Sequence, residues 1–153
     1  MRQTTPQVDS GATRRRVLVI DDHPLVAKVV QHLLEREGFR VAVATSGMAG
    51  LDLARSDPPD LFLLDVMMPG MNGFEVCQAI RRDRALCTVP VIILTGVESQ
   101  NLNERAFAAG ADACMTKPFA PERLLSAVNI ALQNASRKRS NSGKEKPKRE
   151  TTR

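Results

Sequence analysis

Three short apolar runs in this chain each stop abruptly at a polar residue. Val17-Leu18-Val19-Ile20 stops at Asp21, Leu61-Phe62-Leu63-Leu64 stops at Asp65, and the run from Val89 to Leu94 stops at Thr95. Runs of this length without alternation are predicted to be strands buried on both faces, the signature of a parallel sheet covered by helices. Between them lie stretches with apolar residues spaced by threes and fours. Pro24 opens a helix carrying Leu25, Val26, Val29, Val30, Leu33 and Leu34 on one predicted face, closed at Gly38. Arg40 to Ala44 reads as a second strand. Ser46 caps a helix with Leu51, Leu53 and Ala54, and Asn72 caps one with Phe74, Val76, Cys77 and Ile80. A helix from about Gln100 to Ala109, a fifth strand over Asp112 to Thr116 and a last helix from Pro121 with Leu124, Leu125, Val128 and Leu132 complete the pattern. Five strands alternating with five helices predict a doubly wound α/β domain with a parallel sheet.

In such a sheet, ligands bind beyond the carboxyl ends of the strands. Those ends supply Asp21, Asp22, Asp65, Thr95 and Lys117. Two carboxylates about 4 Å apart repel by roughly 1 kcal/mol in water and about 4 at an effective dielectric of 20. Such a cluster calls for a cation or a shared proton. All-oxygen ligation suits Mg²⁺, which takes one or two carboxylates together with a phosphate. Lys117 supplies a mobile positive charge and Thr95 a hydroxyl donor, both suited to phosphoryl oxygens. A carboxylate nucleophile, a divalent ion, a lysine and a hydroxyl together make a phosphoryl-transfer site.

The charge distribution separates this domain from its ends. The net charge of +5 combines a net +3 over residues 1–16, a net +6 over residues 137–153 and a net −4 between them. Residues 137–153 hold eight basic residues and no large apolar one. A segment of that kind is expected to be disordered. The folded domain is placed at 15–135, with a disordered extension over 1–14 and a disordered basic tail over 136–153. No apolar run approaches the ~20 residues that span a bilayer. The apolar stretch after Arg14-Arg15-Arg16 ends at Asp21, too soon for an export signal, so a cytoplasmic location is expected. Cys77, Cys87 and Cys114 fit neither a disulfide framework nor a zinc site, and are expected to be small buried hydrophobes. His23 stands where it can tune the acidic pair, although its plainer reading is a residue that begins the first helix. The basic tail has the charge to bind nucleic acid.

Four blocks in order resemble the response-regulator receiver family: Val17-Leu18-Val19-Ile20-Asp21-Asp22-His23-Pro24, Asp65-Val66-Met67-Met68-Pro69-Gly70-Met71-Asn72-Gly73, Val91-Ile92-Ile93-Leu94-Thr95-Gly96, and Gly110-Ala111-Asp112-Ala113-Cys114-Met115-Thr116-Lys117-Pro118-Phe119. The resemblance covers residues 17–134 and is to chemotaxis-signalling-protein-like domains. It implies a flavodoxin-like (βα)5 fold with strand order 2-1-3-4-5. It further implies that Asp65 accepts phosphate from a histidine kinase or a histidine phosphotransfer protein. Mg²⁺ would be held by Asp22, Asp65 and the Met67 backbone carbonyl, with Asp21 acting through water. Thr95 and Lys117 would hold phosphoryl oxygens, and the Lys117–Pro118 bond would be cis. On this resemblance the chain is a two-component response regulator, a phosphoacceptor rather than an enzyme, that switches protein–protein contacts. No second folded domain is read after it, so a stand-alone receiver is expected. A phosphorelay intermediate and a nucleic-acid-associated regulator are the alternatives. The family usually has Tyr or Phe where Cys114 stands, and a thiol has no ring to swing inward with Thr95. Met67 and Val97 border the path of the water that hydrolyses the acyl phosphate. Both are apolar, so a long-lived phosphorylated state is expected.

Overall fold

A computed structural model of the chain describes residues 14–96 and 101–144, with side chains as far as Lys138. Expectations for residues 1–13, for Val97 and for residues 145–153 lie outside the described residues.

The elements follow in strict alternation: β1 (Arg16–Ile20), α1 (Pro24–Arg36), β2 (Arg40–Ala44), α2 (Gly47–Ser56), β3 (Leu61–Asp65), α3 (Gly73–Arg82), β4 (Val91–Thr95), α4 (Leu102–Ala108), β5 (Ala113–Thr116) and α5 (Pro121–Lys144). The strands form one sheet in the order β2-β1-β3-β4-β5, all pairs parallel. The expected doubly wound architecture and strand order are therefore the observed ones.

Alternation along the central strands sorts the core into two layers. Leu18, Ile20, Phe62, Leu64, Val91 and Ile93 pack with residues of α2, α3 and α4, among them Leu51, Val76, Ile80 and Ala106. Val17, Val19, Leu61, Leu63, Ile92 and Leu94 pack with Ala27, Val30 and Leu34 of α1 and Leu124, Val128 and Leu132 of α5. Both faces of β1, β3 and β4 are covered, which is why their sequences are continuous apolar runs. The edge strand β2 shows alternating exposure instead.

Local signals start the helices where they were expected. The Ser46 hydroxyl accepts from the Ala49 N–H at 3.1 Å. Asn72 and Glu75 form a reciprocal capping box, each side chain accepting from the other's backbone N–H at 2.9 Å. Gly38 and Gly110 take positive φ just beyond α1 and α4.

Two expectations about the helices need correction. The buried side of α1 is Ala27, Val30 and Leu34, whereas Leu25 and Val29 are 78% and 58% exposed. At 100° per residue, positions 25 and 29 lie on the side of the helix opposite 27, 30 and 34. The threes-and-fours spacing took in both sides of α1. The second correction concerns the tail. Residues 136–144, expected to be disordered, continue α5 to Lys144. The segment has no apolar stripe to pack, but Ser136 to Ser142 contains no Gly or Pro, and basic residues at a helix C-terminus are favoured by the helix dipole. Even with 24 residues, α5 is not apolar enough to cross a membrane, nor is any other described helix.

The cysteines divide. Cys77 is fully buried, and burial pushes its thiol up to about 11, which disfavours the thiolate. Cys87 and Cys114 are only half-buried, so the expectation of three buried cysteines holds for one.

A polar node that no sequence pattern announced joins the end of α3 to the two connections before β4 and β5. Arg81, at the end of α3, donates from Nε to the Gly110 carbonyl at 2.8 Å and from one terminal nitrogen to the carbonyls of Cys87 and Val89 at 3.1 and 2.7 Å. Its other terminal nitrogen meets Asp112 Oδ2 at 2.9 Å, and that oxygen also accepts from the Val91 N–H. Replacing Arg81 with Ala is expected to strand several of these acceptors and cost about 2 kcal/mol, after allowing for partial solvent access. Thermal unfolding of Arg81→Ala should show a Tm lower by roughly 6–10 °C. A drop under about 2 °C would mean that water replaces the guanidinium without loss.

Candidate functional site: an acidic cluster at the strand ends

The parallel register brings the carboxyl ends of β1, β3, β4 and β5 to one edge. Ile20 pairs with Leu64, Asp65 with Leu94, and Thr95 with Thr116. The residues that follow therefore emerge side by side. Asp21 is fixed by its N–H to the Ala44 carbonyl at 3.0 Å, and Lys117 by its N–H to the Thr95 carbonyl at 2.7 Å. The Lys117–Pro118 peptide bond is cis.

Lys117 lies between two acids. Its Nζ is 3.2 Å from Asp21 Oδ2 and 3.2 Å from Asp65 Oδ1. Asp21 and Asp65 are buried, Asp22 is partly open, and Thr95 is fully buried at the end of β4. Burial drives the Asp65 carboxyl above the ordinary carboxylate range. The Lys117 ammonium opposes that shift and the Asp21 charge adds to it.

His23 also enters the cluster. Its Nδ1 is 3.2 Å from Asp21 Oδ1, 3.2 Å from Asp22 Oδ1 and 3.9 Å from Asp65 Oδ2. Its plainer reading holds, since it is the N-cap residue of α1, and its side chain makes no cap bond. Its signal in the sequence was adjacency to the acidic pair, but adjacency does not give the direction of a ring.

Two buried carboxylate oxygens, Asp22 Oδ1 and Asp65 Oδ2, have no hydrogen-bond partner. Orphaned acceptors of this kind are costly in a folded protein unless something positive meets them. One ligand atom from each of Asp21, Asp22, His23 and Asp65 lies within 4.8 Å of the others. The donor set thus fits a divalent cation. Met67 is in the loop after β3, with an exposed side chain, while Met68 is buried and Met71 packs against the core. Thr95 is brought to the same strand-end edge.

The loop between Asp65 and α3 is held close by Gly73. A Cβ at this position would run into the Asp65 carbonyl oxygen and lie 2.9 Å from the Val66 Cα. Gly73→Ala must therefore push α3 away from the residue that carries the buried carboxylate. A loss of about 1–3 kcal/mol is expected from this overpacking. The Tm should fall. An unchanged Tm would show that the helix shifts without cost.

Fold and site together define a doubly wound α/β domain with an acidic, lysine-bridged cluster at its strand ends whose donors fit a cation. Residues 17–129 match the family described as response regulator receiver domain, and the chain belongs to that family. It is 39% identical over 122 residues to the DNA-binding dual master transcriptional regulator RpaA of Synechocystis sp., covering 80% of this chain and 51% of that protein. It is 34% identical over 121 residues to the alkaline phosphatase synthesis transcriptional regulatory protein PhoP of Bacillus subtilis, covering 79% and 50%. The chain spans about half the length of the curated relatives it matches. Among solved structures, a CheY-like receiver domain protein from Methanospirillum hungatei superposes with TM-score 0.77 at 28% identity, covering 82% of this chain and 99% of that one. The chemotaxis protein CheY4 of Vibrio cholerae superposes with TM-score 0.73 at 32% identity, covering 78% and 99%.

Proposed function

We propose that this receiver domain is a cation-dependent phosphoacceptor, that Asp65 takes the phosphoryl group, and that Lys117 and Thr95 hold its oxygens. The observation that carries this reading is the arrangement around Asp65. It is a buried carboxylate with one oxygen on the Lys117 ammonium and the other unpartnered beside Asp22. In the transfer, an Asp65 oxygen forms a bond to phosphorus as the nitrogen–phosphorus bond of a donor phosphohistidine breaks. The bonding pair leaves with the imidazole nitrogen, which then takes up a proton. Lys117 neutralises charge on the phosphoryl oxygens, and the Thr95 hydroxyl donates to another. Asp22, Asp65 and the Met67 carbonyl would hold Mg²⁺ directly, with Asp21 holding one of its waters. When bound, that ion supplies charge neutralisation for the carboxylates and the incoming phosphoryl group.

The donor would be a histidine kinase or a histidine phosphotransfer protein. Leu25, Val29 and Met67 support a protein donor, because each is an exposed apolar residue on α1 or on the loop after β3. Exposed apolar side chains suit docking of a protein that presents a histidine. Met67 is also unable to orient a hydrolytic water by a hydrogen bond, which supports a persistent acyl phosphate and little turnover of its own. The output is a phosphorylation-dependent protein contact in the cytoplasm. A second reading, nucleic-acid association, is supported by exposed Arg137 and Lys138 on the extended α5. Salt-dependent DNA binding that disappears on truncation after Ser136 would favour it.

The test of the main reading is incubation of the full chain with a small acyl-phosphate donor and Mg²⁺. Intact mass should increase by one phosphoryl group, and excess chelator should abolish the increase. Uptake undiminished by chelator would overturn the reading.

A further inference from the structure

We propose that His23 is itself a ligand of the cation at this site, and that it biases the site toward a first-row transition ion such as Mn²⁺ over Mg²⁺. The inference rests on the cation-dependent reading above and adds a nitrogen to what is otherwise an all-oxygen set.

The side chains divide the cluster into two sides. Lys117 occupies Asp21 Oδ2 and Asp65 Oδ1. The oxygens left over include Asp22 Oδ1 and Asp65 Oδ2, both buried and without a hydrogen-bond partner. His23 Nδ1 faces both, at 3.2 and 3.9 Å. It therefore borders the two atoms that most need a positive partner.

The spacing suits one ion. Ligand atoms ~2.1 Å from an octahedral cation lie ~3.0 Å apart when adjacent and ~4.2 Å apart when opposite. From Nδ1, the separations of 3.2 Å to Asp22 Oδ1 and 3.9 Å to Asp65 Oδ2, both direct oxygen ligands, fall between those limits. With the ligand atoms of Asp22, His23 and Asp65 within 4.8 Å of one another, the set needs only a small contraction to close on an ion. The ring starts from a fixed place. The His23 N–H donates to Asp21 Oδ1 at 2.9 Å, and Pro24 begins α1 immediately after it. The imidazole is 60% exposed, so ligation does not require it to enter an apolar interior.

The chemistry sets the preference. Mg²⁺ takes oxygen ligands and gives up water reluctantly. A neutral imidazole adds more to the binding of Mn²⁺ and later first-row ions than to that of Mg²⁺. Ligation through Nδ1 places the ring proton on Nε2, on the exposed side of the ring. The competing arrangement has Nδ1–H donating to Asp21 Oδ1, in which case His23 is only a hydrogen-bond partner of an acid.

Metal-free full chain would be titrated separately with Mn²⁺ and Mg²⁺, for wild type, His23→Ala and His23→Asn. Both variants should bind Mn²⁺ about tenfold or more weakly, and Mg²⁺ within about threefold of wild type. Pulsed electron paramagnetic resonance of Mn²⁺-loaded wild type should show coupling to a directly bound ¹⁴N. That measurement decides the matter even if the variants fold poorly. Absence of the coupling, or equal weakening for both ions, would overturn the proposal and leave the phosphoacceptor reading standing. Failure of wild type to bind either ion would overturn both. Phosphoryl uptake with Mg²⁺, measured on the same wild-type preparation, distinguishes these two failures.

Discussion

Asp65→Asn is expected to take up no phosphoryl group and yet to unfold at a higher temperature than the wild type when metal is absent. The two effects have one origin. Asp65 is 3% exposed, and burial together with the Asp21 charge holds its carboxyl above the ordinary range despite Lys117. An acid whose proton is bound more tightly in the folded than in the unfolded chain opposes folding once it is ionised. Its cost is absent below the unfolded value of ~3.9, grows as pH rises through the interval up to the raised folded value, and is complete above it. Asn keeps the shape and removes the charge. Relief of this kind at a functional site stabilises by ~0.5–2 kcal/mol, a Tm gain of roughly 2–8 °C at neutral pH. The gain should shrink below pH ~4, where the wild-type carboxyl is protonated in both states. It should also shrink when Mg²⁺ is added, because the ion stabilises only the ionised cluster. Intact mass after acyl-phosphate treatment and thermal scans in chelator at two pH values check both halves. Labelling of Asp65→Asn equal to wild type would remove Asp65 from its role. A Tm below that of wild type in chelator would show that the ionised carboxylate contributes to the fold through Lys117 more than its burial costs.

How far the sequence could be read depended on whether a feature was local. β2 and β3 carry the expected boundaries, and β1 and β4 differ from expectation only at their ends, because a doubly covered strand has no polar residue until it leaves the core. Caps at Ser46 and Asn72 were legible because a short polar side chain before an apolar repeat meets backbone donors of its own helix. The gathering of Asp21, Asp22, Asp65 and Lys117 was legible because parallel strands put their carboxyl ends on one edge. Four features were not legible in this way. The face of α1 depends on rotation about the helix axis, which a loose repeat containing Leu25 and Val29 does not fix. The length of α5 depends on helix propagation rather than on packing, so the absence of apolar residues after Ala135 does not end it. The Arg81 node arises where the connections after α3 and α4 meet, which no local pattern reports. The direction of the His23 ring is a rotamer that adjacency to Asp21 and Asp22 does not set.

Lys117→Met is expected to destabilise the metal-free domain by about 2–3 kcal/mol and to make its stability strongly dependent on a divalent cation. Lys117 is the cation that the strand ends carry themselves, bonded at 3.2 Å to both Asp21 and Asp65. Met fills a similar volume without the charge. Two buried carboxylates then face one another without a cationic partner between them, and the Asp65 carboxyl moves further upward, since Lys117 is what lowers it. Removing one partner of a fully buried pair costs about 3–5 kcal/mol, and the lower figure here allows for the partial exposure of Lys117 and for the alternative of protonating an acid. Cation affinity should not fall. The metal carries two charges and becomes the main attraction for the acids, so Mg²⁺ at about 100 times its dissociation constant would restore about 2.7 kcal/mol. Thermal scans of Lys117→Met with and without Mg²⁺ test this, with full restoration expected. Mg²⁺ binding weakened tenfold or more, equivalent to about 1.4 kcal/mol, would contradict it. The double variant Asp65→Asn with Lys117→Met isolates the pair itself. With Asp65 neutral, the ammonium matters less, so the second substitution should cost less in that background than in wild type. Equal costs in the two backgrounds would mean that Lys117 acts through Asp21 alone.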